Sequence, residues 1–270
     1  MLKYAVNQIG LSGSTLADDI ETITELGAPA IGVLRAKLGD CTAAQAARMI
    51  ADAGLGVSVL LGAGGFRLDD VSTWPATLDD VRRALDDAAT IGAGHLLLNS
   101  GPAGALSYEE AELRFLDILA RALPEAAQRN IPFVFEPNHA LRVDLGYVHS
   151  LHDGLDLADL VDSPWFTVVA EVNNCWIERH LYANIASRHG RIGLVQINDF
   201  AAGTLCTPHR VPLGEGMIPL PRILGAFVDA GYPGYFEIEV LGPAVDAMGG
   251  REATRRSIDY LTQLDLRLGH

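Results

Sequence analysis

Four oxygen-bearing side chains lie in short apolar runs of this 270-residue chain, mostly where the run ends. Glu136 ends one run, Glu171 ends a second, Gln196 lies in a third and Glu239 lies in a fourth. Carboxylates are costly to bury without a partner, so several of them at the ends of buried strands indicate convergence on a cation or on a proton-transfer site. The pattern therefore predicts an enzyme.

The elements that would position these side chains alternate along the chain. Eight short runs of apolar, β-branched or aromatic residues alternate with longer amphipathic segments, as in repeated βα units. The predicted strands are 4–7, 30–35, 57–61, 95–99, 133–136, 167–171, 193–197 and 235–239. Eight such units in this length predict an α/β fold of the (β/α)₈ TIM-barrel type, spanning residues 1–270 as one domain. A doubly wound open sheet is the alternative, but the first βα turn lacks the full GxGxxG spacing.

The predicted helices have recognisable starts and ends. Thr42 precedes a run of helix formers, Thr77 is a predicted N-cap, and residues 108–129 form one long amphipathic segment that contains Pro124. Five glycines follow amphipathic segments and are expected to end helices, namely Gly27, Gly54, Gly92, Gly190 and Gly231. In a barrel, the carboxyl ends of all strands face one mouth, where the four oxygen-bearing side chains would meet.

These four side chains predict a metal site. Because strand residues alternate between two faces, each of the four shares a face with the residue two positions before it. If those faces point inward, then Glu136, Glu171, Gln196 and Glu239 supply three carboxylates and one amide oxygen. An all-oxygen set suits Mn²⁺ or Mg²⁺ better than Zn²⁺, which favours His and Cys. The alternative is that each carboxylate pairs with an arginine or caps a helix.

Five more side chains are predicted to bind substrate at the same mouth: His139, Asn174, Trp176, His209 and Arg210. Asn174 and Trp176 directly follow the run that ends in Glu171, and an indole can stack on a sugar face. Arg210 could bind an oxyanion or hydroxyl groups in a bidentate manner. The alternatives are loop packing for the tryptophan and solvated loop positions for the two histidines.

Composition and charge exclude several classes of function. The formal net charge is -14, from 34 acidic and 20 basic residues, and no Lys/Arg-rich stretch is present, so nucleic acid is not an expected partner. Cys41, Cys175 and Cys206 are widely spaced, which favours a reduced, cytoplasmic setting and a structural role for Cys175. No apolar run reaches the length of a membrane span. Apolar residues on barrel helices would favour a homo-oligomer.

Several segments resemble the xylose isomerase-like TIM-barrel superfamily, in particular its sugar phosphate isomerase/epimerase branch. The resemblance covers most of the chain and is strongest after residue 133. It rests on the segments 135–138 (FEPN), 171–174 (EVNN), 195–200 (VQINDF), 210–219 (RVPLGEGMIP) and 231–239 (GYPGYFEIE). The last two segments are the more specific, because the superfamily pairs an arginine and a glycine-rich turn with a strand that ends in glutamate.

The resemblance implies roles for particular residues. Glu136 and Glu239 match two metal-binding glutamates, whereas Glu171 replaces the usual aspartate and Gln196 replaces the usual histidine. Asn174 stands where a further histidine is common. In ketose epimerases of this superfamily, the two metal-bound glutamates take and return a proton on opposite sides of the substrate.

The resemblance implies a divalent-metal-dependent isomerase or epimerase of a sugar or another polyhydroxylated carbonyl compound. A lyase that dehydrates an inosose-like or dehydroshikimate-like substrate is the second hypothesis, because it begins with the same proton abstraction. A third, an endonuclease IV type of repair enzyme, needs zinc-binding histidines that this chain replaces. A fourth is a metal-free binding protein.

Overall fold

A computed structural model describes residues 2–39, 41–203 and 207–268, with side chains described to Asp265. In this part of the chain, eight parallel strands close into a barrel, which confirms the predicted TIM-barrel fold. The barrel strands are β1 Tyr4–Asn7, β2 Ala30–Leu34, β3 Gly56–Gly64, β4 Leu96–Asn99, β5 Phe133–Phe135, β6 Phe166–Glu171, β7 Ile192–Ile197 and β10 Phe236–Ile238. Their order around the barrel is β1-β10-β7-β6-β5-β4-β3-β2.

Helices and one small sheet surround and cover the barrel. The helices are α1 Leu16–Glu25, α2 Ala43–Asp52, α3 Trp74–Ile91, α4 Tyr108–Arg129, α5 Leu151–Val161, α6 Val172–Cys175, α7 Leu181–Arg188, α8 Leu220–Asp229, α9 Pro243–Met248 and α10 Gly250–Leu268. The short strands β8 Asp199–Phe200 and β9 Arg210–Val211 pair in an antiparallel manner between β7 and α8. Within the described ranges, none of the helices combines the length and the apolar character that a bilayer span requires.

The predicted strands agree with the observed ones to within one residue, except that β3 continues to Gly64. Glu136 and Glu239 are the first residues after β5 and β10, whereas Glu171 ends β6 and Gln196 lies inside β7. A position at or just beyond a strand end brings each side chain to the mouth of the barrel.

The predicted helix starts are partly correct. Thr42 accepts from the backbone N–H of Gln45 and caps α2, and α4 spans Tyr108–Arg129 without a break at Pro124. The predicted N-cap at Thr77 is wrong, because α3 already begins at Trp74 and carries its proline in the first turn, where a missing N–H costs nothing.

Four of the five predicted helix-terminal glycines have a left-handed backbone, with φ between 71° and 78°. This conformation is strained for residues that carry a Cβ, which explains the choice of glycine. Gly190 is the exception, since it lies inside the short 3-10 turn His189–Arg191.

The inside of the barrel is filled by a separate aliphatic cluster, which consists of Val59, Leu61, Leu97, Val134, Val169 and Leu194. The alternate residues of the same strands pack outward into the larger core beneath the helices. Because Val134, Val169 and Leu194 point inward, the residues two positions later point inward as well. The strand pattern thereby directs Glu136, Glu171 and Gln196 into the mouth.

The cysteines described by the structure are free. Cys175 is buried, and burial raises the pKa of its thiol, which agrees with the predicted structural role. Cys41 is half-buried, and Cys206 lies outside the described residues.

Candidate functional site

A cavity of about 240 Å³ opens at the carboxyl ends of the barrel strands. Among the residues that line it are Glu136, Glu239 and Arg210, together with His139 and Asn174. Three strands and the small β8–β9 sheet thus deliver predicted catalytic and substrate-binding side chains to one space.

Arg210 is the central charged group of the site. It lies on β9, and its backbone N–H donates to Leu241 O at 3.0 Å. Its guanidinium donates through Nη1 to Glu239 Oε2 at 2.6 Å and through Nη2 to Glu171 Oε1. The three side chains are between 1% and 9% exposed, so the two ion pairs are shielded from water. Removing one partner of such a buried ion pair strongly destabilises the folded protein, because the remaining charge is left without a partner.

Glu171 is held by the protein on both carboxylate oxygens. Oε2 accepts from the Asn173 N–H at 2.6 Å, which makes Glu171 the N-cap of α6. Oε1 accepts from Asn198 Nδ2 at 2.7 Å in addition to Arg210. Asn198 was not among the predicted site residues, although it lies two positions after Gln196 and therefore on the same side of the chain.

Gln196 is fully buried and is oriented by a second carboxylate. Its Nε2 donates to Glu237 Oε1 at 3.3 Å, and Glu237 also accepts from Asn7 Nδ2 at 2.7 Å and from Ser58 Oγ at 2.6 Å. Gln196 Oε1 has no hydrogen-bond partner among the described residues. An acceptor-only carboxylate fixes the amide nitrogen toward itself, which leaves the amide oxygen as an available ligand.

Glu237 is a site-supporting residue that the sequence prediction placed on the inward face without giving it a role. It is fully buried, and in the registry of the sheet it lies opposite Gln196. The sequence signal that could have identified Glu237 is its position two residues before Glu239, which puts both carboxylates on the same side of β10 and its extension.

Burial sets the protonation of the two predicted catalytic carboxylates. Burial, followed by the nearby charge of Glu171, raises the pKa of Glu136 to about 7, while Arg210 opposes the rise. Burial also raises the pKa of Glu239 well above its ordinary value, although Arg210 opposes that rise too. Glu136 is thus divided between its two protonation states near neutral pH, which is the condition that favours general acid–base catalysis.

The predicted substrate-binding residues fall into two groups. Asn174, His139 and Arg210 line the cavity. Asn174 Nδ2 donates to Pro137 O at 3.2 Å, and its buried Oδ1 has no partner within the described part of the chain. His139 Nδ1 accepts from the Leu141 N–H at 3.1 Å, and burial lowers the pKa of the imidazole, so the ring is neutral at pH 7.

Trp176 and His209 are not part of the cavity wall. Trp176 is the C-cap of α6, and its partly buried side chain packs against the core beneath the helices. His209 lies between two wall residues, Pro208 and Arg210, and is half-buried. Substrate binding by these two residues stays a prediction.

Asn99, Asn138 and Arg142 line the cavity although they were not predicted site residues. Asn138 follows Glu136 by two positions, and Asn99 ends β4, so both could have been found by the strand-end rule used for the glutamates. Arg142 lies on a long loop and forms a two-pronged ion pair with Asp144 at 2.9 and 3.0 Å. No periodic pattern marks a loop residue of this kind.

A divalent cation is the group that the superfamily resemblance implies, and the donor set can be tested against it. Across residues 2–39, 41–203 and 207–268, no three His, Cys, Asp or Glu side chains are arranged to hold a metal ion. Arg210 instead joins Glu171 to Glu239. The donors nevertheless fit a hard cation, because they are oxygens and Gln196 Oε1 has no hydrogen-bond partner in the described part of the chain.

Comparisons with known proteins agree on the fold. The sequence profile of the xylose isomerase-like TIM barrel family matches residues 20–264. No match to a curated protein was found. The solved structure of protein SMc04130 from Sinorhizobium meliloti has a TM-score of 0.90 and 24% identity, covering 97% of this chain and 98% of that one.

Two further solved structures share the fold. The IOLI protein with a bound zinc atom has a TM-score of 0.85 and 16% identity, covering 97% of this chain and 98% of that one. A D-allulose 3-epimerase from Methylomonas sp. has a TM-score of 0.79 and 16% identity over the same two fractions. With nine-tenths of its residues matched by the family profile, the chain belongs to the xylose isomerase-like TIM barrel family.

Proposed function

We propose that the protein is a divalent-metal-dependent isomerase or epimerase of a hydroxylated carbonyl compound. The observation that carries the proposal is the placement of Glu136 and Glu239 in the wall of one cavity, where Arg210 pairs with Glu239 and with Glu171. β5 and β10 are separated in the barrel by β6 and β7, so the two carboxylates approach a bound substrate from different sides. Two carboxyl groups on different sides can serve as base and acid in turn.

The residues would divide the reaction as follows. Ionised Glu136 takes the proton from the carbon next to the substrate carbonyl, and protonated Glu239 returns a proton to the other face of that carbon. In the metal-free structure, burial raises the pKa of both groups. Arg210 Nε is buried and lacks a partner in the described residues, so it can donate to a substrate oxygen.

A divalent cation held by Glu136, Glu171, Gln196 and Glu239 would supply positive charge at the carbonyl oxygen and so stabilise the enediolate. Oxygen donors favour Mn²⁺ or Mg²⁺. The zinc named for the IOLI protein and the epimerase activity named for the Methylomonas enzyme support a metal and a proton-transfer reaction in a barrel of this shape. Metal binding by Glu171 would require the Arg210 guanidinium to release the Glu171 carboxylate.

The test is to follow the protons of candidate ketoses by NMR in deuterated water, with added Mn²⁺ and with EDTA. The expected result is deuterium at the carbon next to the carbonyl, with the molecular formula otherwise retained and with loss of exchange in EDTA. Glu136→Gln should abolish the exchange, whereas Glu109→Gln, an exposed carboxylate on α4 outside the cavity wall, should not. An unsaturated product would identify a lyase, and no exchange with any ketose would overturn the proposal.

A metal-free binding protein is the second candidate, and the ion pairs of Arg210 favour it. They supply Glu171 and Glu239 with a cation from the protein itself. Metal analysis of the purified protein after incubation with Mn²⁺ and gel filtration separates the two candidates. Retained, near-stoichiometric Mn²⁺ excludes the metal-free candidate, and no retained metal excludes the metal-dependent one.

A further inference from the structure

The wall of the cavity is divided into two chemically different halves. One half is formed by Glu136 after β5, Arg210 on β9 and Glu239 after β10. The other half is formed by an aliphatic wall, defined here as Ile9, Leu34, Leu61 and Leu97, which belong to the ends of β1 to β4. The strand order places β1 to β4 side by side, so the aliphatic wall is one continuous surface.

The aliphatic wall is more than filling for the barrel. Leu61 and Leu97 are buried members of the interior cluster, at 6% and 2% exposure. Ile9 and Leu34 lie beside them and are half-buried, so apolar surface remains exposed toward the cavity. Leu241, which follows β10, extends this surface on the β1 side. Exposed apolar surface inside a cavity is typical of a ligand-binding wall.

Hydrogen-bonding side chains are almost absent from this half in the described residues. Asn99 at the end of β4 marks its border with the polar half, and its buried Oδ1 has no partner in the part of the chain described. A substrate hydroxyl held against Ile9, Leu34 or Leu61 would lose water without gaining a side-chain partner. A methyl or methylene group in that place would be bound favourably.

We propose that the substrate is a hydroxy-carbonyl compound with a deoxygenated far end, such as a deoxyketose, whose reacting end faces Glu136 and Glu239 and whose apolar end faces the aliphatic wall. This inference rests on the proposed function for the orientation of the reacting end. The preference for an apolar far end rests on the cavity wall alone. One hydroxyl is a modest discriminator in an apolar pocket, so the expected selectivity is about 10- to 100-fold.

The test compares each 2-ketohexose with its 6-deoxy counterpart of the same configuration, by isothermal titration of the full chain with Mn²⁺ present. We expect the 6-deoxy sugar of the tightest-binding pair to bind at least about 10-fold more tightly than its parent. Leu34→Gln should reduce that ratio toward one, because it places an amide on the aliphatic wall. Leu113→Gln, the same change at a side chain of α4 that is 68% exposed, should leave the ratio unchanged.

The wild-type comparison needs no variant, so it holds even if Leu34→Gln fails to fold. Equal or weaker binding of the 6-deoxy sugar in every pair, or no binding of any 6-deoxy ketose, overturns the inference. A deoxy preference without deuterium incorporation supports the apolar far end of the ligand and removes the proposed function. Deuterium incorporation with a preference for the fully hydroxylated sugars supports the proposed function and overturns the inference of an apolar far end.

Discussion

Arg210→Gln is the most informative perturbation of the site, because Arg210 is the cation that neutralises Glu171 and Glu239 in the structure. Both ion pairs are buried, with side-chain exposures of 9%, 1% and 7% for the arginine and its two partners. Removing one partner of a buried ion pair typically costs about 3–5 kcal/mol, since the remaining charges keep their desolvation penalty. Two carboxylates lose their partner here, so a loss in this range is expected for the metal-free protein.

A divalent cation should restore much of this loss, because it would supply charge to the same carboxylates. A ligand that binds only the folded state at 100 times its Kd stabilises by about 2.7 kcal/mol. The variant releases Glu171 from competition with the guanidinium, so Mn²⁺ should stabilise Arg210→Gln more than the wild type. The measurement is urea unfolding of both proteins in EDTA and in a Mn²⁺ series.

Arg82→Gln is the matched control. Arg82 also pairs with two carboxylates, Asp79 and Glu125, but it lies on the surface and is 42% exposed. Exposed pairs contribute about 0–1 kcal/mol, so this variant should change little and should not respond to Mn²⁺. If Arg210→Gln lost no more stability than Arg82→Gln, or gained no more from Mn²⁺ than the wild type, then the view that Arg210 and a cation share these carboxylates would be refuted.

Four further predictions test the same site and its support. Glu136→Gln should lower the rate of proton exchange by about 10²- to 10⁴-fold while ketose binding persists, and a decrease below tenfold would deny Glu136 a catalytic role. In EDTA, the free energy of unfolding of the wild type should fall as the pH rises from about 4.5 to about 7, because folded Glu136 keeps its proton over that interval and the unfolded chain releases it. The largest decrease that Glu136 alone can cause is about 3 kcal/mol. The decrease measured by urea unfolding should be smaller in Glu136→Gln. Gln196→His should shift metal preference from Mn²⁺ toward Zn²⁺ in chelator competition, and unchanged selectivity would exclude Gln196 as a ligand. Gly32→Ala should destabilise the protein by about 1–3 kcal/mol, because a Cβ there would clash with Glu237 Oε2. Gly190→Ala, with open space around it, should cost less in the same unfolding assay.

The fold could be predicted from the sequence because its signals are local and repeated. Each barrel strand is a short apolar run, and the alternation of side chains correctly placed Val134, Val169 and Leu194 inside the barrel. The helix start at Trp74 was missed because two signals compete within three residues. Thr77 is a good N-cap residue, but Pro75 is equally compatible with the first turn of a helix that begins earlier. Boundary signals compete over a few residues, whereas periodicity is summed over a whole element.

The site was predictable only in part, for a different reason. The strand-end rule placed Glu136, Glu171, Gln196 and Glu239 at or near the carboxyl ends of their strands, but it treats each residue by itself and does not reveal partners. Arg210 comes from a two-residue strand outside the barrel, and its position between Glu171 and Glu239 depends on how the loops after β7 fold back. The alternation of side chains placed Glu237 on the inward face of its strand. Its contact with Gln196, which lies 41 residues earlier in the chain, follows from the pairing of β7 with β10 in the barrel.

The contacts of Glu171 and Gln196 give each of the two departures from the superfamily pattern its own physical interpretation. A glutamate is one methylene longer than the usual aspartate, which lets Glu171 reach Arg210 and the Asn173 N–H together. A glutamine cannot titrate, so Gln196 stays a neutral oxygen donor whatever the charge state of Glu237. Under the proposed function, a site built in this way would keep its buried carboxylates paired without a metal and would exchange one ion pair for a cation on metal binding. The metal-free protein would then remain folded. A site with an aspartate and no such arginine contact would leave a buried carboxylate unpaired, so its metal-free state would be less stable.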